Sequence, residues 1–578
     1  MKAHITKVLR ADSSRRGVQD VNDVDGYSEF TKRVCFGKQP RRSYAKAGSS
    51  LKRYALCSIF ELMCLTKKIG INRMKTSNQD PQKFMIWLML LIVFSFSACQ
   101  VEKEINTNKY ENYLSEVFAR GQFNGNALIL ENGKIVFQGS FGISNIDPID
   151  SLTLNSIFRL GSVSKQFTAM GIIKLKESGK LSYNQDIRDY LPDLPYEGIT
   201  IRHLLNHVSG LPDYIDMMNM NWKTQLEIDD VERFISGNND IIEMFAKIKP
   251  KIHFEPGDKW EYSNTGYMLL ASIVSRVAGK PFELYLKEQI FEPTNMTHTS
   301  VYNYVPGNDP QMPLRVYGYR TELNGIDRVS TDIHYLNPVA GDGGIYSTLE
   351  DLLKWDRILY TEALISQDSR DEAFSPAILN NGDTTSYGFG WVIDKSPTGK
   401  KVVTHGGGWV GFGTYIYREI EENNCIIFLT NNSTRYFMSV IDPLKNILHS
   451  QPYELPEISI SELIGKVVMN EGVDVAIDQY KKVKSDKPDE FDFSEDQLNN
   501  LGYQLLGLDQ VDDAVEIFRL NLEEFTHSAN VYDSYGDALL AKGDTIKALI
   551  NFQKAFSIDS TFTAIKAKII RLERNSRP

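Results

Sequence analysis

The sequence predicts an α+β domain, one antiparallel sheet with helices packed against it, followed by an all-helical tail. Three observations carry this. Strand-like runs cluster at the two ends of the region 110–450, helix-like segments fill its middle, and past about residue 452 only helical patterns remain. The first helix-like segment spans 109–120. Ala127-Leu-Ile-Leu-Glu131 and Lys134-Ile-Val-Phe-Gln138 then read as two strands joined by Asn132-Gly133, a pair suited to the positive φ angles of a tight hairpin. A helix over 162–178 follows, with Phe167, Met170, Ile172 and Ile173 as its apolar stripe and Gly179 as its stop. Further helices are expected over 263–278 and 281–290. Strands over 385–395, 401–405, 412–418 and 425–431, separated by Gly or Asn turns, and a helix over 437–449 close the block.

Beyond a linker at 451–470, the tail at 471–578 has an internal period. Gly502, Leu505, Ala514 and Phe518 recur as Gly536, Leu539, Ala548 and Phe552, each shifted by 34 residues. That spacing resembles tetratricopeptide repeats, in which small residues let paired helices pack closely. Such a tail would offer a protein partner a surface; the alternative is a helical cap with no partner.

Charge is divided unevenly along the 578 residues. Residues 1–73 hold 16 Lys and Arg against 6 Asp and Glu, a balance of +10, so 74–578 carries −20 of the net −10. An acidic body repels phosphate backbones, which argues against nucleic acid as a partner. The basic, aperiodic 1–73 segment shows no pattern that would bury a core, and Met74, just ahead of the next feature, is expected to be the true start. Residues 84–98 form an apolar run of 15, short of the roughly 20 needed to span a bilayer, with Lys75 and Lys83 as a positive flank. Ser97-Ala98-Cys99 resembles a bacterial lipoprotein cleavage box, which implies lipidation at Cys99 and a membrane-anchored periplasmic or cell-surface protein. A spacer at 100–109 would follow. Cys425, in the apolar run Cys425-Ile-Ile-Phe-Leu-Thr430, is expected to be a buried inert thiol.

Chemistry concentrates in three places. Ser162-Val-Ser-Lys165 follows Phe158-Arg-Leu-Gly161 and opens a helix, where the serine sits beside free backbone N–H groups. Lys165, one turn on, lies on the same face and, partly desolvated, can accept the serine proton. Ser43-Tyr-Ala-Lys46 and Ser49-Ser-Leu-Lys52 have the same spacing without that setting. Tyr262-Ser-Asn264 stands 100 residues beyond Ser162, and His405-Gly406-Gly407-Gly408 stands 143 beyond Tyr262, where a strand gives way to glycines.

In order and type these three boxes resemble the broad serine β-lactamase and penicillin-binding protein family, in its class C, esterase and D-aminopeptidase branch. His203-Leu-Leu-Asn-His-Val-Ser-Gly-Leu-Pro212 and Gly341-Asp-Gly-Gly-Ile-Tyr-Ser-Thr348 support the match, which covers roughly 110–450. The resemblance implies a β-lactamase/transpeptidase-like fold and an acyl-enzyme on Ser162. Lys165 and Tyr262 would share acid and base duties, and Asn264 would orient Lys165 and the substrate. The N–H groups of Ser162 and Gly408 would form the oxyanion hole, and Gly406 and Gly407 would contact substrate. Neither metal nor organic cofactor is implied. The substrate would be a small ester, an amide or a D-amino-acid or cell-wall peptide, selected by loops 214–250 and 301–338.

His405 departs from the lysine usual in β-lactamases and transpeptidases. With an ordinary pKa around 6.5 it would anchor a carboxylate weakly, so penicillin turnover should be weak and fall above pH 7. A non-catalytic sensor of cell-wall peptides is the competing reading, opposed by three intact boxes. His203 and His207 have a spacing that can seat a metal, but no third ligand is apparent and packing is expected. Met217, Met218, Met220 and Trp222 suit core packing better than a substrate groove. No Gly-x-Ser-x-Gly elbow surrounds any serine, which speaks against an α/β-hydrolase.

Overall fold

The computed structural model describes residues 109–218, 237–302, 312–432, 437–561 and 563–575. The 1–73 segment, the apolar run 84–98, Cys99, Met220 and Trp222 lie outside them. Among the described residues no helix is long and apolar enough to cross a membrane.

Six strands form the central sheet: β1 (Gly125–Glu131), β2 (Lys134–Phe141), β3 (Val392–Lys395), β4 (Lys401–Trp409), β5 (Phe412–Glu419) and β6 (Asn424–Thr430). Their order is β3-β4-β5-β6-β1-β2, antiparallel throughout. Asn132 and Gly133 turn the first hairpin at φ 50° and 73°, as their residue types demand. Pairing of β1 with β6, Gly125 opposite Thr430, joins the two ends of the domain and encloses everything between them.

The pleat sorts side chains to two cores. Ala127, Ile129, Ile426 and Phe428 face a layer made by helices 109–119 and Phe437–Leu448. Their neighbours Leu128, Leu130, Ile427 and Leu429 face the larger core around the Lys165–Glu177 and Asn264–Ala278 helices. Met217 and Met218 join that larger core.

Three elements differ from the sequence expectation. The helix expected from 162 starts as a 3₁₀ turn, Gly161–Ser164, and becomes α-helical only at Lys165. It carries no simple stripe, because Thr168, Ala169 and Gly171 are buried along with Phe167 and Ile172: it is the hub of the core, enclosed on all sides as far as Ile173. The expected 385–395 strand pairs in the sheet only from Val392. Gly390 at φ 79° brings this segment onto the hub helix, where a Cβ would stand 2.8 Å from the Lys165 carbonyl oxygen. Segment 281–290 divides into the Phe282–Leu286 helix and a π turn over Lys287–Phe291.

The expected linker also proves shorter. A helix over Ile460–Glu471 buries Ile460, Ile464 and Val468 in the tail core, and Ser459 caps it by accepting from Glu462 N–H. Ser459-Ile-Ser-Glu462 is a capping sequence that could have been read. In the repeat, the Gly502 and Gly536 positions meet the rings of Phe518 and Phe552: an added Cβ would fall 2.5 and 2.6 Å from them. The 34-residue shift therefore repeats a physical contact as well as a pattern. Gly465 in the first tail helix meets Leu323, on the loop of the hairpin formed by Tyr319–Thr321 and Arg328–Ser330, and so seats the tail on the first domain.

Candidate active site

Ser162 is held between a short strand and the β4 glycines. Phe158–Arg159 pairs with Ile345–Ser347, after which Gly161 turns the chain at φ 51°. Backbone meets backbone here. A Cβ on Gly161 would stand 2.7 Å from Gly408 N, and one on Gly407 would stand 2.9 Å from Ser162 N. Thr414 on β5 fastens the turn by donating to the Leu160 carbonyl at 2.6 Å. The predicted oxyanion donors, Ser162 and Gly408, thus stand side by side. Gly407 is pressed beneath the turn, and the Gly406 carbonyl accepts from His405 Nδ1.

The 3₁₀ geometry has three residues per turn, so Lys165 lies directly over Ser162. Lys165 is fully buried, and its ammonium nitrogen has three oxygen partners: Ser162 Oγ at 3.0 Å, Asn264 Oδ1 at 2.8 Å and the Asp342 carbonyl at 2.9 Å. The Tyr262 ring covers it, with its centroid 4.9 Å from Nζ.

Asn264 presents its carbonyl oxygen to Lys165 because its Nδ2 donates to Asp213 Oδ2 at 2.9 Å. Asp213 also accepts from Asn264 N–H at 2.8 Å and from Ile215 N–H. Burial pushes its carboxyl up to about 6, against the pull of those amides. Sequence reasoning missed Asp213, which follows directly on the recognised stretch ending at Pro212; a lone Asp after a turn gives no periodic signal.

The two histidines of that stretch do different work. His203 Nδ1 accepts from Thr200 N–H and completes the cap of the Ile201–Leu205 helix. His207 Nδ1 accepts from Ser263 N–H at 3.2 Å, and its ring lies 4.3 Å from that of Tyr262. His207 is a support for Tyr262, a role the sequence reading assigned only as packing.

His405 is completely buried. A carbonyl can only accept, so its 2.6 Å contact with Gly406 O places a proton on Nδ1. Nε2, 2.8 Å from the Tyr387 hydroxyl, accepts from it. Burial first, and the Lys165 charge second, push the imidazole pKa down to about 3. The neutral imidazole agrees with a weak anchor for a carboxylate, but burial moves its titration below neutrality, away from the pH range in which turnover was expected to fall. Cys425 on β6 is buried, and burial pushes its thiol well above the ordinary range.

The cleft above Ser162 is lined by Arg159, Gly161, Tyr214, Ile215, Asn264, Leu336, Val339, Asp342, Gly343, Gly408 and Trp409. Arg159 and Trp409 were not foreseen there. The Asn337 carboxamide oxygen accepts from Arg159 Nη1 at 2.9 Å and from Trp409 Nε1 at 2.7 Å.

A fold of this kind with a buried Ser-x-x-Lys turn, a Tyr-x-Asn corner and a glycine strand defines a class, and comparison with known proteins agrees. The family model described as Beta-lactamase matches residues 111–446, and the chain belongs to that family. It is 39% identical over 362 residues to Penicillin-binding protein 4* of Bacillus subtilis (strain 168), a match covering 61% of this chain and 78% of that protein. Among solved structures it resembles the octameric penicillin-binding protein homologue from Pyrococcus abyssi, at 25% identity and a TM-score of 0.52. That match covers 62% of this chain and 81% of that one.

Proposed function

We propose that the 110–450 domain is a serine acyl hydrolase that forms an acyl-enzyme on Ser162 with an ester, amide or D-amino-acid peptide substrate. One observation carries the reading: the placement of Lys165 Nζ among three oxygens. Asn264 Oδ1 and the Asp342 carbonyl are acceptors only, so in a neutral amine they hold both hydrogens. The lone pair is then left pointing at Ser162 Oγ. Lys165 takes the hydroxyl proton as Oγ attacks the carbonyl carbon, and Asp213 keeps Asn264 from flipping and offering an N–H in place of its oxygen.

The carbonyl oxygen becomes an oxyanion facing the Ser162 and Gly408 N–H groups. Donors fixed before reaction are worth roughly 3–4 kcal/mol of barrier. Collapse of that intermediate expels the leaving group, protonated through Lys165 and Tyr262. Water activated by Tyr262 then cleaves the ester and returns Ser162. His405, held neutral between Gly406 and Tyr387, positions the β4 end of the cleft without taking part in proton transfer.

An uncharged fluorophosphonate probe tests the assignment. Ser162 is expected to be labelled, Ser162→Ala to be blank, and p-nitrophenyl ester hydrolysis to fall by roughly 10³ or more in that variant. Labelling that persists in Ser162→Ala rejects the reading. The lipoprotein-like segment ending at Cys99 supports an exported, membrane-tethered enzyme, and the 34-residue repeat supports a tetratricopeptide-like tail that binds a protein partner. Metabolic labelling with a clickable fatty acid, lost in Cys99→Ser, tests the tether.

A further inference from the structure

Among the described residues of the first domain three arginines are buried, and two of them meet an acid. Arg315 pairs with Asp332, and Arg418 Nε pairs with Asp356 Oδ1 at 2.5 Å. The third, Arg159, is only 3% exposed and has no carboxylate partner among the described residues. Of its nitrogens only Nη1 has a hydrogen-bond partner there, Asn337 Oδ1, and Nε is buried without one. The nearby acids have other partners: Asp342 Oδ2 accepts from the Tyr214 hydroxyl at 2.9 Å, and Asp332 accepts from Arg315. His334, edge-on to the Trp409 ring, is held neutral by burial and by the Arg159 charge, its pKa pushed down to about 4.

A buried guanidinium without a counter-ion is costly to keep. This one lines the cleft that holds Ser162 and Gly408. His405, at the position where β-lactamases and transpeptidases usually carry lysine, is occupied at both ring nitrogens. We infer that Arg159 is the specificity residue of this cleft, recognising a carboxylate on the substrate, and that the substrate itself supplies the missing counter-ion. The inference rests on the hydrolase reading above. Asn337 fixes the guanidinium plane by holding Nη1, and a carboxylate is the anion whose two oxygens match the planar fork of an arginine.

Two esters that differ only at the far end of the acyl chain test it: p-nitrophenyl hydrogen glutarate, with a terminal carboxylate, and p-nitrophenyl valerate, with a methyl. The wild type is expected to favour the glutarate ester in kcat/KM by about tenfold or more, the size of one charged hydrogen-bonded contact. In Arg159→Gln the ratio falls to about parity, mostly through KM, and Arg159→Lys restores part of it. An arginine that merely props Asn337 and Trp409 would, on removal, slow both esters together; an unchanged ratio therefore overturns the inference. Should Arg159→Gln fail to fold, the wild type still decides. Glutarate ions at constant ionic strength must slow fluorophosphonate labelling of Ser162 where chloride does not, and absence of that protection rejects the Arg159 site. An unlabelled Ser162 rejects the hydrolase reading instead, so the two failures are distinguishable.

Discussion

The Ser162 turn and the helical tail both depend on glycines that admit a close neighbour, yet the neighbours differ in kind. At Gly502 and Gly536 the neighbour is a phenylalanine ring, which can tilt or be replaced by something smaller. At Gly161 it is backbone, the Gly408 amide, and at Gly407 it is foremost the Leu160 carbonyl, with the Thr414 hydroxyl and the Ser162 amide beside it; the two amides are themselves the proposed chemistry. Crowding in the tail is therefore a packing problem with a side-chain solution. Crowding at the turn has none.

Gly407→Ala should give the largest effect. The added methyl pushes the Ser162 turn away from β4, and a misplaced oxyanion donor costs about 10²–10³ in rate. Fluorophosphonate labelling kinetics read this directly, and no single side-chain change should rescue it. A second-site side-chain suppressor would break the contrast.

Gly502→Ala should destabilise by about 1–3 kcal/mol through overpacking, with no change in Ser162 labelling. Phe518→Leu combined with it should recover part of the loss, measured as coupling in a thermal or urea double-mutant cycle. Additive losses would show that the ring is not the obstacle.

The smallest effects sharpen the electrostatic side of the contrast, since it is the first domain that buries ionisable groups in its chemistry. The Asp213 carboxyl rises from an ordinary 3.8 to about 6 on folding. Between those values the folded chain keeps a proton that the unfolded chain has released, so this group's contribution to stability falls as pH rises through that window. Asp213→Asn should accordingly gain on wild type as pH rises from 4 to 7, while losing activity as Asn264 loses its orientation. His405 runs the other way, from an ordinary 6.5 down to about 3. Its contribution is present in full above 6.5 and is lost as pH falls towards 3, so His405→Gln should close the gap to wild type on acidification. Melting curves at matched pH check both signs.

Alternation and Asn132-Gly133 were legible as short-range regularities of residue type, the 34-residue period as a recurrence of the same types, and the three boxes through their resemblance to a known family. They were enough to expect an antiparallel sheet, a helical tail and a Ser162, Lys165, Tyr262 and Asn264 constellation. Local pattern was weakest where a contact across the chain overrode it. Segment 385–391 has strand composition but bends onto Lys165, and the hub helix reads as one stripe yet is enclosed on every side as far as Ile173.

Residue order alone determined which chemical groups this protein possesses and roughly which elements carry them. Only the tertiary structure decided their state. Burial and a carbonyl contact made His405 a neutral strut, Asp213 came to hold Asn264 across 51 positions, and Arg159 was left facing the cleft without an acid among the described residues. The reason is physical: charge, tautomer and donor direction are set by the low-dielectric surroundings and partners a group meets on folding, and those partners lie far from it along the chain.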